Sequence, residues 1–174
     1  MVFTDKNIDK QSCTALKTVS GSNQHLTTQA DKKAHILIQV NSLMISVLLI
    51  YILRISNDHR IALLPVMALM ITCLAVIILA LMATRPRMLP HPPVKTDGVN
   101  LLFFGSYENL ELEEYNSDME TLMTDSGLMY MSLTRDIYFQ AVILGKKYRL
   151  LRMSYHVFGT GLAISVLSFI FIAF

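Results

Sequence analysis

Four cationic residues near the end of the sequence could bind an anion, and they lie within two helical turns of one another: Lys146, Lys147, Arg149 and Arg152. Ammonium and guanidinium groups form charge-assisted hydrogen bonds to phosphate oxygens, and a single anionic phosphate needs only one or two of them. Because the cluster stands shortly before an apolar run, its long side chains could instead reach the lipid headgroups and fix a membrane helix. The headgroup belt is the simpler interpretation, a phosphate site is the second, and the two are compatible.

No other set of residues predicts catalysis, a metal site or a cofactor site. The sequence contains no GxxxxGK[ST], GxGxxG or GxSxG motif. The acidic residues between positions 111 and 120 are most simply one solvated helix face. The two cysteines are far apart without CxxC spacing, and the five histidines are isolated from each other: Cys13 and Cys73; His25, His35, His59, His91 and His156. We therefore expect no enzymatic activity, no bound metal and no cofactor.

The composition is typical of a membrane protein. The 174 residues are 53 % hydrophobic and 16 % charged, with a mean hydropathy of +0.46, which is too apolar for an ordinary soluble domain. Three apolar runs are long enough to cross a bilayer, which takes about 20 residues: 36–53, 61–82 and 157–174. The first run begins deep in the sequence and lacks a cleavage site before it, so we expect it to remain in the mature protein. A net charge of only +2 argues against a nucleic-acid partner.

The basic residues predict how the chain crosses the membrane. Lys and Arg number five before the first run and eight between Arg85 and Tyr155, against two in the connection from Arg54 to Arg60. By the positive-inside rule, the N-terminus and the long middle segment face the cytoplasm, whereas this connection and Phe174 face outward. Asn57 and Asp58 favour a turn, so the first two spans are predicted to form an antiparallel hairpin.

We expect four parts along the chain, which differ in polarity and in turn signals. The first 22 residues are polar without an apolar period and predict a flexible segment. Prolines between Arg85 and Gly98 end the second helix, and the apolar patch Leu101–Phe104 after them must be buried, most simply against cytoplasmic helices. The parts are a flexible segment at 1–22, a lead-in helix and transmembrane hairpin at 23–84, a cytoplasmic helical module at 85–154 and a third transmembrane helix at 155–174.

The last helix is predicted to run from the cytoplasm into the membrane without a break. An S-x-x-E capping box at Ser117–Glu120 marks one possible start of a short preceding helix, although the acidic run Glu111, Glu113 and Glu114 indicates an earlier start. Asp125–Gly127 end this helix. Beyond it, apolar and aromatic residues recur at steps close to alternating four and three: Tyr130, Ile137, Ala141, Leu144, Tyr148, Leu151, Tyr155, Phe158 and Leu162. This seam could pack within the chain or between copies. A helix from about Leu128 to Phe174 would be roughly 70 Å long.

The predicted fold class is therefore an all-α membrane protein with three transmembrane helices, a small cytoplasmic helical module and a continuous last helix. Polar residues within the spans need partners, because lipid offers none. Gln39 and Asn41 lie in the first span. Asn41 could form hydrogen bonds between helices, or it could line a polar seam with Ser42 and Ser46 when several copies assemble. Gly159 and Ala163 form a small-xxx-small pair that permits close helix approach.

Three segments together resemble a known family: ADKKAHILIQVNSLMISVLL (Ala30–Leu49), NLLFFGSYENL (Asn100–Leu110) and RDIYFQAVILGKKYRLLRMSYHVFGTGLAISVLSF (Arg135–Phe169). In this order, and with three spans, they are similar to the transmembrane effector family of Pycsar anti-phage systems, over about residues 34–174 with the lead-in before them. The resemblance implies a multi-pass protein of the bacterial inner membrane, encoded beside a pyrimidine cyclase. It also implies that cyclic UMP or cyclic CMP, made during phage infection, activates the effector, which then damages the membrane.

With such a ligand as the hypothesis, a cytoplasmic module would bind the nucleotide; it is formed by the lead-in helix, the strap at 100–105 and the helix at 128–152. Arg135, Lys147 and Arg149 would bind the phosphate, and Tyr138 or Tyr148 would stack on the base. Binding would change how the long helices pack between subunits of a homo-oligomer. Shifting a two-state population from 1:99 to 99:1 takes about 5.5 kcal/mol, less than the roughly 8 kcal/mol of a ligand bound at about 1 μM. The alternative is a ligand-independent membrane scaffold or small channel subunit that recruits a cytoplasmic partner.

Overall fold

The computed structural model describes residues 10–54, 63–85, 101 and 111–173. Within these ranges the chain forms α-helices and no strand: α1 at Lys10–Arg54, α2 at Leu63–Thr84, α3 at Leu112–Thr124 and α4 at Ser126–Ala173. Helices α1, α2 and α4 are each long and apolar enough to cross a membrane. The predicted all-α fold with three spanning helices is therefore confirmed. Helix α4 passes through Lys146 and Lys147 without a break, as predicted.

Helix α1 begins earlier than the sequence predicted. It starts at Lys10 rather than near Asn23, so residues 10–22 are helical. Gly21 lies within the helix, although an interior glycine costs about 1 kcal/mol relative to alanine. The neighbouring Ser20 is half-buried, and its hydroxyl donates a hydrogen bond to the side-chain oxygen of Gln140 on α4. A tertiary contact thus supports a polar segment whose own helix propensity is low.

The helices form two compact units. Unit 1 comprises Met1–Leu26 and Pro86–Leu144, and unit 2 comprises Thr27–Arg85 and Gly145–Phe174. Helices α1 and α4 contribute to both units, whereas α2 belongs to unit 2 and α3 to unit 1. The predicted parts divide the chain after residues 22, 84 and 154, and their assignment to membrane and cytoplasm stays a prediction.

A regular row of small and apolar side chains on α2 holds unit 2 together. Beyond Pro65, the buried residues of this helix recur at alternating steps of three and four: Val66, Leu69, Cys73, Val76, Ala80 and Ala83. This heptad spacing places them on one face, as in helices that pack at a shallow crossing angle. One buried cluster combines the three spanning helices: Ala30, Ala34, Leu37, Val76, Ala80 and Leu151. Small residues in that cluster let the helices approach closely.

Helices α2 and α4 meet closely at Gly161. A Cβ atom at this position would lie 2.9 Å from the Cβ atom of Thr72 and would overlap the rest of that side chain. The sequence pointed instead to Gly159 and Ala163. A Cβ atom at Gly159 would meet nothing within 4 Å in the described part of the chain, and Ala163 is exposed. The predicted glycine was therefore the wrong one for packing within the chain.

The buried row of α4 in unit 2 also differs from the predicted seam. Leu151 is buried as predicted, but Tyr155 is exposed, and the row includes Lys147, Ser154 and Ser165. The predicted seam consists mostly of large apolar side chains. A helix surrounded by lipid gains little from burying such side chains, so it packs through small residues instead.

A single residue separates α3 from α4 in unit 1. The Oδ1 atom of Asp125 accepts hydrogen bonds from the backbone N–H groups of Gly127 at 2.8 Å and Leu128 at 3.1 Å. Asp125 thereby caps the N-terminus of α4. The predicted break at Asp125–Gly127 is confirmed, but it is confined to Asp125.

Unit 1 also contains α3 and Leu101, the first residue of the apolar patch. Ser117–Glu120 does not cap α3, because the helix begins at Leu112; the earlier start indicated by the acidic run Glu111, Glu113 and Glu114 is confirmed. Leu101 is buried, as the patch was predicted to be, and Leu122 of α3 and Leu144 of α4 are buried as well. The remaining patch residues, 102–104, lie outside the described residues.

Candidate functional site

Lys147 is bound to an acidic residue of α1 within unit 2. Its ammonium group donates hydrogen bonds to the two carboxylate oxygens of Asp31, at 2.7 Å and 2.9 Å. The side chain of Lys147 is only 11 % exposed and that of Asp31 33 %. This ion pair joins α1 to α4 beside the buried cluster. Residue spacing does not reveal this pair, although Asp31 is the only acidic residue between Asp9 and Asp58.

The other three clustered cations are exposed. Lys146, Arg149 and Arg152 lie on the same stretch of α4 as Lys147 but outside the packed face. Their exposure fits the headgroup belt, and it equally leaves the guanidinium of Arg149 accessible to a phosphate. Tyr148, the second candidate for stacking on a base, is half-buried and packs against the cluster of unit 2. Its ring therefore has a structural role in this state.

The remaining two candidate residues, Arg135 and Tyr138, both contact the Phe139 ring in unit 1. The guanidinium carbon of Arg135 lies 5.8 Å from the centre of the Phe139 ring, a cation–π contact. The Tyr138 ring meets Phe139 edge-on, with centroids 5.8 Å apart and planes at 65°. Tyr138 is 65 % exposed. Helical spacing makes neighbours of Arg135 and Phe139, so this pair could have been found in the sequence.

A chain of hydrogen bonds in unit 1 connects α1 with the same part of α4. Ser20 donates to the side-chain oxygen of Gln140, and the Gln140 amide donates to the carboxylate of Asp136 at 2.7 Å. Burial raises the pKa of the Asp136 carboxyl above its ordinary value, and the hydrogen bond from Gln140 lowers it by less. At neutral pH, ionisation of the Asp136 carboxyl therefore costs free energy in the folded protein.

Asp136→Asn is expected to stabilise the protein slightly at neutral pH. A carboxyl group whose pKa rises on folding contributes stability below its unfolded pKa and loses that contribution as pH rises through the folded value. Asparagine keeps an acceptor for Gln140 without the charge. We expect the gain in melting temperature to shrink as the pH falls through the raised pKa of the folded protein, and to vanish below about pH 4, the ordinary pKa of an aspartate, where both states become protonated. Thermal unfolding across this pH range measures it, with the exposed Glu120→Gln as the control. A gain that grows in acid would contradict this account.

Asn41 is fully buried inside unit 2. Its side-chain nitrogen donates to the carbonyl of Leu37 at 2.8 Å, and its Oδ1 atom has no hydrogen-bond partner among the residues whose positions are described. Ser42 and Ser46 are exposed. Asn41 therefore does not share a face with these serines, and the predicted seam of all three residues was wrong.

The family to which the chain belongs follows from comparison with known proteins. The family model described as PycTM, the Pycsar effector protein domain, matches residues 15–174. The chain belongs to the Pycsar effector family. The match begins within α1, earlier than the motif resemblance did, and includes the rest of α1 together with α2 and α4. Comparisons with curated proteins and with solved structures gave no match. This Pycsar effector is a membrane protein of anti-phage defence.

In this Pycsar effector, cationic and aromatic side chains on α4 have the chemistry to bind an anion and a planar ring. Arg135 and Arg149 can donate charge-assisted hydrogen bonds to an anion, and the exposed ring of Tyr138 can stack on a planar group. Across the described ranges, no three His, Cys, Asp or Glu residues come together as a metal site would require. The expectations of no metal, no cofactor and no enzymatic activity stay expectations.

Proposed function

We propose that this Pycsar effector resides in the bacterial inner membrane, is activated by cyclic UMP or cyclic CMP, and impairs membrane integrity to abort infection. The family match over residues 15–174 is the observation that carries the proposal. It is supported by three apolar helices and by cationic and aromatic side chains on α4 outside its most apolar part.

The orientation belongs to the same proposal. The N-terminus and the segment between α2 and α4 face the cytoplasm, and the C-terminus faces the periplasm. The excess of basic residues before the first span and between residues 85 and 155 supports this arrangement. It places Arg135 and Tyr138 on the side where a cyclase would release its product.

The proposed ligand contacts follow from the state of each candidate side chain. Arg135 would bind the phosphate, with Phe139 restricting its side chain, and Tyr138 would stack on the base. Arg149 is exposed but lies 14 residues, about 21 Å of helix, beyond Arg135, so it is an alternative to Arg135 rather than a second cation for the same phosphate. Lys147 would reach a phosphate only after leaving Asp31. Tyr148 would reach a base only after leaving the buried cluster.

Calorimetry on the full-length protein in detergent tests the ligand. We expect saturable binding of cyclic UMP or cyclic CMP, and none of linear UMP or cyclic AMP. Arg135→Ala is expected to weaken binding by about 10- to 100-fold, since a hydrogen bond to a charged group contributes about 1.5–3 kcal/mol. Arg152→Ala, an exposed cation of the same helix outside the proposed contacts, is the matched control. Equal losses for both variants would contradict a defined site, and no binding of any cyclic mononucleotide would favour the ligand-independent scaffold.

Dye release from liposomes that contain the protein tests the effect on the membrane. Release that depends on cyclic UMP or cyclic CMP is expected, and Arg135→Ala should raise the nucleotide concentration required. Release without nucleotide would indicate a constitutive channel. Binding without release would mean that the effector acts through another protein rather than on the lipid.

A further inference from the structure

A polar stripe faces outward from the apolar part of α1. It consists of Gln39, Ser42 and Ser46, which follow at steps of three and four residues and are all exposed. The buried residues of the same helix, Ala34, Leu37 and Asn41 among them, lie on the opposite side. At 100° per residue, the stripe is centred about 140° away from that buried face.

The stripe is in an unfavourable environment if the chain is alone in lipid. The hydroxyl of Ser46 donates to the carbonyl of Ser42 at 3.0 Å, so its donor is satisfied within the helix. No hydrogen bond joins the Gln39 side chain to any residue that the structure describes. A carboxamide has two N–H donors and a carbonyl acceptor, and hydrocarbon provides no partner for them. Polar side chains within spanning helices are usually directed toward protein or water for this reason.

We infer that the stripe is the surface on which a second copy of this chain docks, α1 against α1. Copies inserted in the same orientation carry Gln39 at the same depth, so two parallel helices bring these side chains face to face. The carboxamide is self-complementary, since each can donate to the other's oxygen. Ser42, one turn further, is small enough to let the two helices approach closely.

The side chains before the stripe limit the contact to its apolar part. Lys32 and His35 continue the same face at the same spacing and are exposed. Two like-charged Lys32 side chains repel each other, although solvent screens exposed charges. The contact therefore begins at Gln39 and extends toward Ser46. This inference does not depend on the ligand that activates the protein.

Disulfide trapping in native membranes tests the inference on the full chain. In a background with Cys13 and Cys73 replaced by alanine, Ser42→Cys should form a disulfide-linked dimer on oxidation. Val40→Cys is the matched control, because Val40 is exposed within one turn of Ser42 but lies on another side of α1. Equal trapping of both variants, or trapping of neither, would overturn the proposal.

Removing the amide gives a second, independent measurement. Gln39→Leu replaces an exposed polar side chain with one that suits lipid, so folding should be preserved, as circular dichroism can check. We expect dimerisation, measured by energy transfer between labelled copies in liposomes, to weaken roughly three- to tenfold, in line with interhelical hydrogen bonds in membranes. Val40→Leu should leave it unchanged. Unchanged dimerisation of Gln39→Leu would refute a contact at this stripe, and an equal loss in Val40→Leu would place the contact elsewhere on α1.

Discussion

Asp31→Asn is expected to lower the free energy of unfolding by about 1–3 kcal/mol. It would leave the ammonium group of Lys147, whose side chain is only 11 % exposed, without its charged partner. Breaking a fully buried ion pair costs about 3–5 kcal/mol, and the 33 % exposure of Asp31 reduces that figure because water can partly replace the lost carboxylate. Thermal or denaturant-induced unfolding of the full chain in detergent measures the loss.

A double-mutant cycle separates the ion pair from the surrounding packing. Lys147→Met alone should also destabilise, because it leaves Asp31 unpaired against α4. The double variant Asp31→Asn/Lys147→Met removes both charges, and we expect it to be more stable than the sum of the single losses predicts. Lys146→Met is the matched control, since its exposed side chain should contribute little. Additive losses in the cycle would show that the two side chains do not act as a pair.

The same variants decide whether Lys147 also contacts a ligand. If an anionic nucleotide must displace Asp31 to reach Lys147, Asp31→Asn should strengthen nucleotide binding while Lys147→Met weakens it. If Lys147 only joins the helices, both variants should change stability and leave intrinsic affinity alone. Titration of the folded variants below their melting temperatures separates these outcomes.

The overall fold could be predicted from the sequence because the signals are strong and local. An apolar run of about 20 residues fits a bilayer, and the absence of proline or a turn signal between Gly127 and Phe174 allows one continuous helix. The start of α1 could not be predicted in this way. Residues 10–22 are polar and carry Gly21, and at least one contact supporting them comes from a residue more than a hundred positions later, Gln140.

The packing of side chains was harder to predict, for a physical reason. In a water-soluble protein, a row of large apolar side chains on one helix face is expected to pack against other protein. In a bilayer, the same side chains can face the lipid instead. The protein buries Ser154, Ser165 and Lys147 on α4 and exposes Tyr155. The role of Lys147 depended on Asp31, a partner 116 positions away, which spacing along one helix does not reveal. Arg135 and Phe139 were accessible to prediction, since both lie on one turn of α4.

Gly161→Ala is expected to destabilise the pairing of α2 with α4. The added Cβ atom would lie 2.9 Å from the Cβ atom of Thr72, and no rotation of the Thr72 side chain moves that atom. The helices must separate or shift, and overpacking of this kind costs about 1–3 kcal/mol. The better helix propensity of alanine returns up to about 1 kcal/mol. When the full propensity gain is subtracted, we expect a net loss of up to roughly 2 kcal/mol in unfolding free energy.

Gly159→Ala is the matched control, because it makes the same chemical change two residues earlier on the same helix. Its Cβ atom would meet nothing within 4 Å among the described residues, so only the propensity gain should remain. The opposite signs expected for the two glycines separate packing from propensity. Thr72→Ala should recover part of the loss in Gly161→Ala, since it removes Cγ2 and Oγ1 but keeps Cβ. A stable Gly161→Ala protein, or a destabilised Gly159→Ala protein, would contradict close packing of α2 on α4 at Gly161.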